Sequence, residues 1–127
     1  MNGNYVMDTS AWIEYFSGTQ KGVKISHIIK DKPVFTSVIA IAELAEKHER
    51  EERPFESRFE FIKNRSSIIS IEIRTALLGA KLKNKIRKFN PKFGLANAFH
   101  LATAQQENAV LVTCDRDFQG IENVMLI

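Results

Sequence analysis

Tyr5-Val6-Met7-Asp8-Thr9-Ser10-Ala11-Trp12-Ile13-Glu14-Tyr15-Phe16 holds a short apolar strand, three consecutive helix-capping residues and the start of a helix. Tyr5 to Met7 reads as the strand, and any of Asp8, Thr9 or Ser10 can cap the helix, which ends near Gly18. The alternation then continues. Val23 to Lys30 sets Ile25, Ile28 and Ile29 at helical spacing before Pro33, and Val34-Phe35 is a second strand. Thr36-Ser37 caps a helix running to about Glu51, and Pro54 fits the first turn of another that turns Phe55, Phe59 and Ile62 inward.

Ser66-Ser67 breaks that helix, and Ile68-Ile69 makes a third strand. A long helix from about Glu72 to Arg87 closes at Phe89-Asn90-Pro91, and Gly94 opens one that holds Asn97, His100, Leu101 and Ala104 and finishes near Asn108. Val110 to Val112 and Val124 to Ile127 are the fourth and fifth strands. Short, continuously apolar strands alternating with helices predict a buried parallel sheet with helices on both faces. In such sheets ligands gather at the carboxyl ends of the strands, where Asp8 and Asp115 both fall.

The length of 127 residues suits one domain, residues 1–127. A hydrophobic content of 44% with 26% charged residues is that of a globular chain rather than a disordered one. No apolar run approaches the roughly 20 residues of a membrane helix, and Met1-Asn2-Gly3-Asn4 has no basic segment ahead of an apolar one, so a cytoplasmic location is expected. The single cysteine, Cys114, reads as a small apolar group.

Three carboxylates far apart in sequence, Asp8, Glu43 and Asp115, each end or interrupt an apolar run, and Asn97 adds an amide. Asp8 can equally cap its helix, and Asp115 and Asp117 can be turn residues bonding their own backbone. Glu43 lies between Val38-Ile39-Ala40-Ile41-Ala42 and Leu44-Ala45, with little solvated surface expected, so its charge needs a cation or a Lys or Arg partner. Carboxylates without nearby Cys or paired His suit Mg²⁺ or Mn²⁺. Such an ion can orient and acidify a water and neutralise phosphate charge.

Net charge is +3, but between Glu72 and Glu107 there is no acid, while Arg74, Lys81, Lys83, Lys85, Arg87, Lys88 and Lys92 put +7 into that window. Lys81, Lys85 and Lys88 fall on one helix face, a solvated face or a footprint for RNA phosphates. Trp12, Tyr15 and Phe16 read as core packing; His100, one turn after Asn97, can point toward the pocket but reads more readily as structural, and His27 and His48 give no signal. No Gly-rich phosphate loop supports a small phosphatase or a flavodoxin-like binding domain.

Four blocks carry a family likeness: Tyr5-Val6-Met7-Asp8-Thr9-Ser10-Ala11, Thr36-Ser37-Val38-Ile39-Ala40-Ile41-Ala42-Glu43-Leu44, Gly94-Leu95-Ala96-Asn97-Ala98-Phe99-His100-Leu101-Ala102-Thr103-Ala104, and Leu111-Val112-Thr113-Cys114-Asp115-Arg116-Asp117-Phe118. In this order they resemble the PIN-domain nucleases, in particular the VapC-type toxins of toxin–antitoxin pairs. The resemblance implies a three-layer α/β/α sandwich with a mostly parallel sheet of about five strands, and a Mg²⁺- or Mn²⁺-dependent endoribonuclease acting on RNA. It further implies a homodimer and an antitoxin protein that inserts a basic or bulky side chain into the pocket.

On the same basis the metal ligands fall on Asp8, Glu43 and Asp115, with Ser10, Thr113 and Asp117 in support. Asn97 stands where the family normally carries Asp, which removes a charge and a potential base from the site. That leaves a second reading, a weakened or inactive member that binds RNA or a protein partner without cutting.

Overall fold

The computed structural model describes residues 3–127; Met1 and Asn2, read above as part of a start without a secretion signal, lie outside them. The element order is β1 (Tyr5–Met7), α1 (Thr9–Ser17), α2 (Gln20–Ile29), β2 (Val34–Ser37), α3 (Val38–Arg50), α4 (Glu56–Arg65), β3 (Ser67–Ile69), α5 (Ile73–Ile86), α6 (Leu95–Gln106), β4 (Val110–Thr113) and β5 (Val124–Leu126). A 3₁₀ turn, Arg116–Phe118, precedes β5. The five strands form one parallel sheet in the order β3-β2-β1-β4-β5.

The two-residue period of β1 and β4 sorts the core into two layers. Val6 and Leu111 face one side and pack with Ile86, Phe93, Ala98, Leu101 and Ala104 from α5, α6 and the turn between them. Met7 and Val112 face the other and pack with Trp12, Ile25, Ile29, Leu44 and Ile62 from α1 to α4. The result is an α/β/α sandwich. Among the described residues no helix is long and apolar enough to cross a membrane.

Several boundaries differ from the sequence reading. The second helix starts at Gln20, three residues before Val23, because the Thr19 hydroxyl accepts from Gly22 N and caps it. Gly22 has a second reason to be there: a Cβ built on it would lie 2.0 Å from the Glu14 carbonyl oxygen of α1. Gly22→Ala must therefore push two helices apart, and we expect a loss of about 2–3 kcal/mol in urea unfolding. Equal stability for this variant would show that the two helices are loosely seated.

Pro54 sits ahead of α4 rather than in its first turn; Phe55 takes the N-cap position without a side-chain bond. The long helix α5 ends at Ile86, so Lys88 lies in the turn beyond it, not on the helical face that the spacing suggested.

Candidate functional site

From β1 the chain moves outward through β2 and β3, then returns to the opposite flank of β1 as β4. The β1/β4 seam is thus where the winding direction reverses, the place where open parallel sheets leave a crevice beyond their strand ends. Met7 pairs with Val112, so Asp8 and Thr113 emerge side by side.

Asp8 is buried and accepts three hydrogen bonds. Ala11 N (2.9 Å) and Ser10 Oγ (2.8 Å) donate to Oδ1, and Thr113 Oγ1 (2.5 Å) donates to Oδ2. The first of these makes it the cap of α1, so the capping reading and the site reading describe one residue. Thr113 Oγ1 also accepts from Asp115 N (3.0 Å), and Ser10 Oγ accepts from Cys114 N (2.9 Å). Asp115 in turn accepts from Asp117 N at Oδ1 (2.9 Å) and from Asn97 Nδ2 at Oδ2 (3.4 Å). One hydrogen-bonded chain therefore runs from Asp8 through Thr113 and Asp115 to Asn97. Asp117 contributes its backbone to this chain.

Glu43 reaches the same rim from α3, with two departures from the sequence reading. Its side chain is 41% exposed, not buried, because Ala42 and Ala45 on α3 face solvent, which alanine tolerates. Its partner is His100, buried on α6, whose Nε2 donates to Oε1 at 3.0 Å, with Thr9 Oγ1 donating to the same oxygen at 2.5 Å. His100, read as structural, and Thr9, read only as a cap candidate, are therefore the site residues that sequence reasoning missed. The one available signal was that His100 follows Asn97 at helical spacing, so both leave one side of α6. His100 Nδ1 is buried and among the described residues has no hydrogen-bond partner.

Electrostatics separates the two carboxylates. Hydrogen bonding from His100 holds Glu43 below the usual range, against a smaller burial effect. Burial pushes Asp8 upward, opposed by the nearby His100 and by its three donors. Cys114 is pushed up to about 11, chiefly by burial, so its thiol stays protonated and unreactive.

The folded chain holds the Asp8 proton to a higher pH than the unfolded one does. Its contribution to stability thus falls as pH rises from the ordinary carboxylate value through the raised one. Asn at this position keeps an acceptor for Ala11 N and loses the buried charge. In chelator at pH 7, Asp8→Asn should be more stable than the parent by on the order of 1 kcal/mol, with the gap closing on acidification. A less stable Asn variant at pH 7 would contradict the burial argument.

The PIN domain family model matches residues 5–124, nearly the whole chain. The chain belongs to the PIN domain family. Among solved structures this PIN domain is similar to a toxin–antitoxin complex from Klebsiella pneumoniae, with a TM-score of 0.77 and 26% identity over 95% of each chain. It shares its fold with VapBC2 from Rickettsia felis bound to a DNA fragment from their promoter (TM-score 0.75, 20% identity, 98% of this chain and 97% of that one). It also shares it with Mycobacterium tuberculosis VapC20, a sarcin-ricin loop cleaving toxin (TM-score 0.70, 14% identity, 93% and 95% covered). No curated protein matches the chain.

As a metal site the rim is rich in carboxylate, amide and hydroxyl oxygens, which suits a hard divalent ion. Among the described residues, however, no three His, Cys, Asp or Glu side chains stand together as a ready-made ligand group. Asp115 is instead paired with the neutral Asn97 amide and Glu43 with His100. The buried Asp8 carboxylate is the group whose charge a cation would compensate best.

Proposed function

We propose that this PIN domain is a metal-dependent endoribonuclease that hydrolyses RNA phosphodiester bonds and serves as the toxin of a VapC-type pair. The observation that carries the reading is the chain of hydrogen bonds joining Asp8, Thr113, Asp115 and Asn97 at the β1/β4 seam, with Glu43 on the same rim. Asp8, Asp115 and Glu43 would hold Mg²⁺ or Mn²⁺, with Asn97 offering its carbonyl oxygen. When bound, the ion supplies charge to offset the phosphate and lowers the pKa of an attacking water.

The protein's own contribution is positional. Thr113 and Ser10 fix the two oxygens of Asp8, Asp117 N fixes Asp115, and His100 with Thr9 fixes Glu43. An antitoxin partner belongs to the same proposal, supported by the toxin–antitoxin complexes among the similar structures, and a homodimer and a cytoplasmic site of action are proposed with it.

One observation favours a second reading. Because Asn97 donates to Asp115, the carboxylate in this corner of the rim has a hydrogen-bond partner without any ion, as suits a domain that binds RNA or a partner without cutting. The deciding experiment is cleavage of a mixed RNA pool with Mg²⁺ or Mn²⁺ by the parent chain, Asn97→Asp and Asp8→Ala. Cleavage by the first two and not the third supports the enzyme; cleavage by Asn97→Asp alone supports the disabled site. No cleavage by any of the three removes the nuclease proposal.

A further inference from the structure

Phe89 is 63% exposed, and among the described residues it makes no aromatic or cation contact. The other phenylalanines pair with aromatic rings, pack on the core or, in Phe99, lie against Gly79. Its surroundings are cationic. Lys85 lies one turn before it, Lys88 is adjacent and Lys92 follows, and among the described residues none of these, nor Lys81 or Lys83, is ion-paired.

Phe89 also forms one wall of a groove of about 270 Å³ that includes Leu82, Lys85, Ile86, Ile121 and, as its one carboxylate, Glu122. The turn that carries Phe89 is pinned, not loose. Phe89 N donates to Ile86 O (3.0 Å), Arg87 Nη2 to Pro91 O (2.6 Å), and Asn90 Nδ2 to Asp117 O (2.6 Å). The last bond ties the turn to the segment that bears Asp115. Phe93, edge-on to Phe118 at 5.3 Å, fastens the same two segments from beneath.

We propose that Phe89 and its groove form a stacking platform for an unpaired nucleotide base, with Lys85, Lys88 and Lys92 on the adjoining phosphates, so that this chain selects single-stranded RNA. Base-on-aromatic stacking beside a cationic track is how single strands are held without base-edge readout, since every base has a π-face. A turn whose backbone is already fixed in place loses little freedom on binding. The charge argues for nucleic acid over a protein partner. The opposite end of α5 also exposes apolar side chains, Ile73 at 82% and Leu77 at 64%, but there the one cation, Arg74, is neutralised by Glu72.

The proposal rests on the RNA reading above but not on cleavage. It is tested in chelator, where binding is read alone, by fluorescence anisotropy of a short, unstructured, labelled RNA and of the same strand annealed to its complement. Phe89→Ala should weaken single-strand binding about 5- to 100-fold and leave duplex binding unchanged, while Phe89→Trp retains affinity and its indole emission is quenched by the strand. Lys85→Gln should weaken both ligands and flatten the salt dependence. The platform is overturned if Phe89→Ala binds the single strand like the parent. It is equally overturned if light scattering shows that the substitution acts only by changing oligomeric state, which assigns the ring to a second copy of the chain. Loss of cleavage with binding intact counts against the nuclease, not against the platform.

Discussion

Asn97→Asp should raise Mg²⁺- or Mn²⁺-dependent RNA cleavage by about 100-fold or more, the scale set by one added charge at the ion and one positioned base. In the parent, Asn97 Nδ2 stands 3.4 Å from Asp115 Oδ2 and donates to it. An Asp at 97 would turn that contact into two facing carboxylates, which cannot both ionise cheaply without a cation between them. The variant should therefore lose stability in chelator and regain it with Mn²⁺, whereas the parent should respond to the ion much less. Thermal melts with and without Mn²⁺, alongside a cleavage assay, read both effects. If the variant shows neither an ion-dependent melting temperature nor cleavage, the rim is not a metal site.

Trp12→Ala carries the largest expected loss of stability, about 3–5 kcal/mol. Trp12 is completely buried, stacks on Phe16 with centroids 5.5 Å apart, and meets Tyr15 edge-on at 5.4 Å. Its Nε1 donates to Thr36 Oγ1 (3.1 Å) on β2, and Thr36 is joined to Ser66 (2.8 Å) at the end of α4. Truncation opens a void and cuts α1 from β2. For a domain of this size the loss amounts to a fall of roughly 10–20 °C in melting temperature by circular dichroism. Trp12→Phe keeps most of the ring and forfeits the indole donor, so it should fall by about 1 kcal/mol. Because α1 begins at Thr9, which reaches Glu43, the Ala variant should also blunt any activity at temperatures where it remains folded.

Where local chemistry decides the structure, the sequence was readable. Strands β1 and β4 lie where their apolar runs lie, Gly94 opens α6, and the parallel sheet follows from the alternation of strands and helices. The rim positions of Asp8 and Asp115 also follow, since each is the polar residue after a buried strand. What escaped depends on how helices are seated. The apolar spacing begins only at Val23, so Gln20 to Gly22 carried no helical signal, yet the missing Cβ of Gly22 is what lets α2 approach Glu14. Whether Ala42 and Ala45 face in or out depends on α3's neighbours, so the exposure of Glu43 was not legible. The Glu43–His100 pair needs the register of α3 against α6, residues 57 apart in sequence, which no local pattern encodes. Lys88 illustrates a boundary error: a favourable face carries on in the sequence past Ile86, where the helix ends.

The pairing of Tyr5 with Val110, Val6 with Leu111 and Met7 with Val112 joins strands from opposite ends of the chain. A nascent chain still lacking β4 has the first acidic residue but neither the neighbouring strand that shapes its crevice nor the second aspartate. Long-range parallel pairing of this kind is also slow to nucleate. Any hazard such a protein poses to RNA would thus be withheld during its own translation, because the crevice can close only after the ribosome has released the segment around residue 115.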